Sequence, residues 1–120
     1  MLVTEKVSKE NKLWALLHDA PEAYINDVAR PLKPLMPNYT VMENRIMGRI
    51  GEKFGLVGTE MPAEVREVDN RILMDERAQL MKPSPCPWPY EFEPLGIKIE
   101  SWTPAAAERA FLEAFFRLRT

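Results

Sequence analysis

Eleven prolines divide this 120-residue chain and limit where helices can run. Proline has no backbone N–H and its ring clashes with the preceding turn, so it suits the first turn of a helix but not the interior. The prolines stand at positions 21, 31, 34, 37, 62, 83, 85, 87, 89, 94 and 104. Helices are therefore expected in the long intervals, and the five prolines of KPSPCPWPYEFEP predict an extended loop.

Most of these intervals carry apolar residues at helical spacing. Helices are predicted over residues 11–19, 39–54, 63–81 and 104–118. Gly55 is placed to end the second helix, and Thr103 to cap the last one. A polar turn is expected around residues 31–37, and LGIKIESW is the one segment that resembles a short strand. The sequence thus predicts one all-α domain spanning residues 1–120.

Composition argues against several classes of protein. The lone Cys86 excludes an internal disulfide and a thiolate zinc cluster, and it fits a reducing cytoplasm. A formal charge of −2 gives no general attraction to nucleic acid or to an anionic membrane. No apolar stretch approaches the roughly 20 residues that span a bilayer, and the N-terminus lacks a signal-like apolar core. We therefore expect a cytoplasmic protein.

The chain's single histidine, His18, stands next to Asp19 where an apolar helix is expected to end. Adjacent residues on a regular helix point about 100° apart, so these two side chains can face one ligand only where the backbone turns. Pro21 provides that turn, because it disfavours helical geometry at the residue before it. On its own, a His-Asp dipeptide is more often a surface accident than a site.

Asp69 is a second carboxylate in an unexpected place. It lies on or beside an apolar stripe formed by Val65, Val68 and Ile72. A charge there needs a partner, which is either a base such as Arg45 or a cation, unless the edge of the stripe faces water. Combined with the His-Asp pair, it completes an imidazole and two carboxylates. That donor set suits Mn²⁺, Fe, Co²⁺ or Zn²⁺, or Mg²⁺ if water fills the remaining positions.

Three segments carry a resemblance to a known family. WALLHDAPEAYINDVARPLK resembles the central motif of the HD-domain metal-dependent phosphohydrolases. The branch is that of small nucleotide hydrolases, which includes bacterial 5'-deoxynucleotidases and phage and prophage proteins. EVDNRILMDERAQLM is similar to the helix that supplies this branch's last aspartate, and PLGIKIESWTPAAAERAFLEAFFRL to its C-terminal segment. The resemblance implies an HD-like helical bundle with one divalent metal, for which His18, Asp19 and Asp69 are the matching ligands.

The resemblance also implies an activity, the metal-dependent hydrolysis of nucleoside mono- or triphosphates. Glu22 would then move a proton of the attacking water, and Asp27 would orient that water or protonate the leaving oxygen. Arg30 and Lys33 would bind phosphate. Each has a plainer alternative: Glu22 as a first-turn acid favouring the helix dipole, Asp27 as a cap, and the two cations as solvated turn residues.

The chain departs from the family in one respect. The family's first metal-binding histidine lies upstream of the His-Asp pair, and the seventeen residues before His18 contain none. We therefore expect an N-terminally shortened member, in which water, Glu5, Glu10 or a second chain fills the gap. The alternative function is that of a catalytically degenerate, phage-derived HD fold that binds and inhibits a protein partner.

Loss of an upstream helix would also uncover apolar surface on the helix before the His-Asp pair. The side chains at risk are Leu13, Trp14, Leu16 and Leu17. Large exposed apolar patches usually mark an interface, so a homodimer or a protein partner covering this face is expected. In the proline-rich loop, alternating Trp88, Tyr90 and Phe92 predict either a lid folded back on the core or a platform for stacking a base.

Overall fold

The computed structural model describes residues 1–119, which form an all-α fold as predicted. The helices are α1 (Leu2–Lys6), α2 (Lys12–Leu17), α3 (Glu22–Ile25), α4 (Pro37–Phe54), α5 (Ala63–Leu80) and α6 (Pro104–Arg119). Short 3-10 helices lie at Lys9–Asn11 and at Arg30–Leu35, where the sequence predicted a polar turn. Within the described residues, no helix has the length and apolarity that crossing a membrane requires.

The helix boundaries follow the proline and glycine positions. Pro37 and Pro104 are the first residues of α4 and α6, where a missing N–H costs nothing. Gly55 ends α4 with φ +71°, a left-handed conformation that favours glycine, and its N–H bonds back to the Gly51 carbonyl. The Thr103 hydroxyl accepts a hydrogen bond from the Ala106 N–H at 3.2 Å. The predicted boundaries at Gly55 and at Thr103 and Pro104 are confirmed. Helix α4 begins at Pro37, two residues before its predicted start, because the proline expected in the turn occupies the first helical position instead.

The core lies between α1, α2 and α5. It is made of the buried residues Val3, Val7, Trp14, Ala15, Val65, Val68 and Ile72. Helix α1 was not predicted, because two apolar residues among charged ones give a five-residue helix little signal. Glu64, at the start of α5, fastens the N-terminal segment: it accepts hydrogen bonds from the Ser8 N–H (2.7 Å), the Ser8 hydroxyl (2.6 Å) and the Asn11 amide (2.7 Å).

The expectation that the α2 apolar face lies uncovered is wrong. Trp14, Leu16 and Leu17 are only 5%, 7% and 4% exposed, and Leu13 is half-buried. The reason is that α1 and α6 both pack on α2, and the Trp14 indole N–H donates to the Val57 carbonyl at 2.9 Å. Any partner surface therefore lies elsewhere.

The segment LGIKIESW does not form a strand in the structure. Its backbone is bound instead by side chains of α5. The N–H groups of Leu95 and Gly96 donate to the Asp75 carboxylate at 2.9 and 3.0 Å, and the Ile99 N–H donates to Gln79 at 2.8 Å. Because these donors are already paired, no strand partner is needed, and alternate side chains of the segment face the core.

The proline-rich loop is extended, as predicted, and folds back on α5. Arg77 of α5 binds Glu91 through two hydrogen bonds of 2.7 and 2.8 Å, and its guanidinium lies 4.8 Å from the Trp88 ring centre. The rings of Trp88, Tyr90 and Phe92 follow one another at centroid distances of 5.6 and 6.0 Å. This arrangement favours the lid alternative.

Candidate functional site

His18 lies immediately after α2, with its imidazole turned inward. The side chain is 9% exposed, and its Nδ1 lies 2.5 Å from the Ala15 carbonyl oxygen. A carbonyl can only accept, so Nδ1 carries the proton and donates it. In the neutral ring Nε2 is then the atom with the free lone pair, which is the tautomer that a metal-binding histidine with an oriented Nδ1–H adopts.

The Nε2 atom faces two carboxylates that the sequence singled out. It lies 3.2 Å from Asp19 Oδ2 and 3.5 Å from Asp69 Oδ1, although fifty positions separate Asp69 from Asp19. Nε2 is buried, and neither contact gives it a hydrogen-bond partner. The predicted convergence of the three side chains is confirmed, and the alternative partner for Asp69, Arg45, forms no ion pair with it.

The charges of this cluster shift the pKa values of His18 and Asp19. Burial lowers the pKa of His18, but Asp69, Asp19 and the Ala15 carbonyl outweigh it, so the pKa lies above its usual 6.5. Burial raises the pKa of Asp19, and the negative charge of Asp69 adds to this effect while His18 opposes it. An imidazolium or another cation is therefore favoured between the carboxylates.

Each distance between His18 Nε2 and a carboxylate oxygen suits two ligands of one metal ion, but the three side chains together do not have the geometry of a metal site. Ligand atoms about 2.0–2.2 Å from one ion are about 2.9–3.5 Å from each other at tetrahedral or octahedral angles. The two distances from Nε2 fall in that range. Across residues 1–119, however, no three His, Cys, Asp or Glu side chains have the joint geometry of a metal site. The role of these residues as ligands stays a prediction.

Glu22 and Asp27 lie beside the cluster, at the two ends of α3. Burial, the charges of Asp19 and Asp27 and a hydrogen bond with Asp27 raise the pKa of Glu22 to about 7, against an opposing effect of Lys33. Glu22 thus holds a proton weakly near neutral pH, which is the property a general acid or base requires. This geometry does not distinguish these roles from the alternatives, in which Glu22 is a first-turn acid and Asp27 is a cap.

The turn after α3 contains a contact that the sequence did not reveal. Asn26 has φ +61°, a conformation that non-glycine residues rarely adopt, and it directly precedes Asp27. The Tyr39 hydroxyl of α4 donates to the Asn26 carbonyl at 2.5 Å. Because the acceptor is a backbone atom, no sequence pattern could have paired the two residues.

Arg30 and Lys33 lie on the 3-10 helix next to the site, but in different surroundings. Arg30 donates to the Asn70 side chain at 3.1 Å and lies 4.9 Å from the Tyr90 ring centre. Lys33 forms an ion pair with Glu43 at 3.5 Å, and its charge partly offsets the rise in the pKa of Asp19 and of Glu22 that burial and the neighbouring carboxylates cause. Neither cation pairs directly with the His18 cluster.

A cavity of about 610 Å³ opens onto the three clustered side chains. Its walls come from α1, α5, the segment around Ile97 and the start of α6. Of the two acids suggested to replace the upstream histidine, Glu5 lines this cavity and Glu10 is not part of its lining. Glu76 also lines it and was overlooked in the sequence, although it follows Asp69 by about two helical turns.

Comparison with known proteins finds one curated relative. The uncharacterized protein YfdR of Escherichia coli (strain K12) is 39% identical over 89 residues, which are 74% of this chain and 49% of that protein. The chain thus spans about half the length of this relative. No protein-family model matches the chain, and no solved structure matches it.

Proposed function

We propose that this protein is a metal-dependent phosphohydrolase that acts on nucleotides, either nucleoside mono- or triphosphates. The observation that carries the proposal is the buried Nε2 of His18. This atom faces Asp19 and Asp69 without a hydrogen-bond partner. A buried polar atom left in this way costs free energy, and a cation shared with the two carboxylates would remove the cost.

A bound divalent cation would acidify a water molecule and offset charge that develops on the phosphoryl oxygens. The chain's own residues supply the rest. Glu22, with its pKa near 7, accepts the proton of the attacking water. Asp27, whose charge acts on Glu22, orients that water or hands a proton to the leaving oxygen. Lys33, whose charge already acts on Asp19 and Glu22, is better placed than Arg30 to attract phosphate.

The test is hydrolysis of a panel of nucleoside mono- and triphosphates with Mn²⁺, Co²⁺ or Mg²⁺, alongside metal analysis of the purified protein. Asp69→Asn should abolish both metal binding and turnover. Glu22→Gln should abolish turnover but keep the metal, because Glu22 is assigned to the water. Activity that persists in chelator, or an Asp69→Asn protein that keeps its rate, would refute the proposal.

A second candidate function, binding of a protein partner, is favoured by helix α4. None of its 18 residues is buried. Its apolar residues Ile46, Ile50 and Phe54 line a largely apolar groove together with Tyr24. Three cations also line the groove, namely Arg45, Arg49 and Lys53. Such a surface suits a second copy of this chain or an inhibited protein better than the α2 face does.

Light scattering at high micromolar concentration distinguishes the two partner arrangements. A homodimer would support self-association through α4, provided that Ile50→Glu returns it to a monomer. A monomer that also lacks metal and hydrolyses no nucleotide would favour the degenerate, inhibitory fold. If the protein is instead a monomer with metal-dependent nucleotidase activity, the α4 groove is not a partner-binding surface.

A further inference from the structure

Glu76 is a half-buried carboxylate on the same face of α5 as Asp69. Seven residues at about 100° each bring it within about 20° of Asp69 around the helix, roughly 10 Å further along the axis. Side chains on a helix lean toward its N-terminus, which is the direction in which Asp69 lies from Glu76. Both side chains line the 610 Å³ cavity onto which the His18 cluster opens.

The surroundings of Glu76 do not compensate its charge. Burial and the negative charges of Asp69, Asp19 and Asp75 all raise its pKa. Within residues 1–119 it has no hydrogen-bond or ion-pair partner. Lys6 and Lys98 also line the cavity, but neither forms an ion pair with Glu76. A carboxylate kept there costs folding free energy unless a cation joins it.

The His18 ring provides an independent indication that the cavity receives a cation. Its Nε2 is more than nine-tenths buried, has no hydrogen-bond partner and faces Asp19 and Asp69 on the cavity wall. An acidic cavity alone would attract ions only loosely. An imidazole lone pair directed into it adds a nitrogen donor of the kind that metal ions bind.

We propose that Glu76 is a fourth side chain of the divalent-cation site, holding the ion through its charge and through a water molecule that the ion carries. The inference rests on the proposed function, because it assumes a cation at His18, Asp19 and Asp69. Glu76 is preferred to Glu5 because Glu76 is half-buried and electrostatically linked to Asp69 and Asp19, whereas Glu5 is exposed on α1. Its role is to position and retain the ion, not to react.

The experiment compares Glu76→Gln with wild type and with Glu67→Gln, a matched change on the exposed face of the same helix. Mn²⁺ affinity is measured by isothermal titration calorimetry, and the melting temperature is recorded in chelator and in saturating Mn²⁺. Glu76→Gln should weaken Mn²⁺ binding by about 10- to 100-fold, as loss of an outer metal contact typically does. It should also raise the melting temperature in chelator, because the uncompensated charge is gone, while Glu67→Gln changes neither value.

Two results would overturn the inference while sparing the proposed function. One is wild-type Mn²⁺ affinity in Glu76→Gln, and the other is an equal loss of affinity in Glu67→Gln. A larger loss of Mn²⁺ affinity in Glu5→Gln than in Glu76→Gln would also overturn the inference, because it would show that Glu5 of α1 is the fourth side chain of the site. A wild-type protein that neither binds Mn²⁺ nor melts at a higher temperature in its presence would refute both proposals together.

Discussion

Replacing Asp75 by asparagine should destabilise this protein by about 3 kcal/mol. Asp75 is 3% exposed, and its two oxygens accept hydrogen bonds from the N–H groups of Leu95 and Gly96 at 2.9 and 3.0 Å. Hydrogen bonds to a charged group contribute about 1.5–3 kcal/mol each, and a neutral one about 1. Asparagine retains one acceptor and turns an N–H group toward the other donor, so most of one strong bond is lost and the second is weakened.

A loss of that size is a large part of the 5–15 kcal/mol that typically stabilises a domain. Urea denaturation followed by tryptophan fluorescence measures it, with Gln79→Ala as the control. Gln79 makes two hydrogen bonds to the same segment, with the Ile97 carbonyl and the Ile99 N–H, but it is exposed, so water can replace it. The control should cost about 1 kcal/mol or less. An Asp75→Asn cost no greater than that of the control would refute the argument from burial.

Three further predictions follow from single contacts. Hydrogen bonds from Ser8 and Asn11 hold the pKa of Glu64 below 4.5 in the folded state. The Glu64 carboxylate therefore contributes fully to folding stability above pH 4.5, and this contribution is lost as the pH falls through the lowered pKa. Glu64→Gln should therefore reduce stability at pH 7 and flatten its loss below pH 4.5 in urea titrations; an unchanged acid limb would contradict this. Thr103→Ala should cost about 1 kcal/mol by removing the α6 cap, whereas Thr103→Ser should cost little. The pKa of His18 is raised above 6.5, and a protonated ring cannot bind a metal. Mn²⁺ affinity measured by calorimetry should therefore fall as the pH drops through a value above 6.5. A pH-independent affinity would exclude His18 as a metal ligand.

Much of the helical framework was predictable because its signals are local. Pro104 at a helix start, Gly55 at a helix end and Thr103 as a cap act within one turn of the chain. The convergence of His18 with Asp69 was also predictable, because a carboxylate beside an apolar stripe has few partners within reach, even though the Asp69 side chain remains 40% exposed.

The features that escaped prediction depend on distant backbone atoms. The segment after Pro94 alternates like a strand, yet Asp75 and Gln79 bind its backbone from α5 and leave no ladder to form. Helix α1 is too short to show a period, and its burial on α2 reversed the expectation of an uncovered face. Glu76 was overlooked because charged residues fill much of α5, and only the cavity separates this one from its neighbours.

The most direct test of a cation at His18 is the nitrogen NMR spectrum of its ring, since no other histidine is present to overlap with it. In ¹⁵N-histidine-labelled protein at pH 8, the free ring should be the Nδ1–H tautomer with an unprotonated Nε2. Titration with ¹¹³Cd²⁺ should shift the Nε2 resonance and split it by coupling to cadmium, while Nδ1 stays protonated. In Asp69→Asn this response should weaken or disappear. An Nε2 resonance that saturating cadmium leaves unchanged in the wild-type protein would contradict the account.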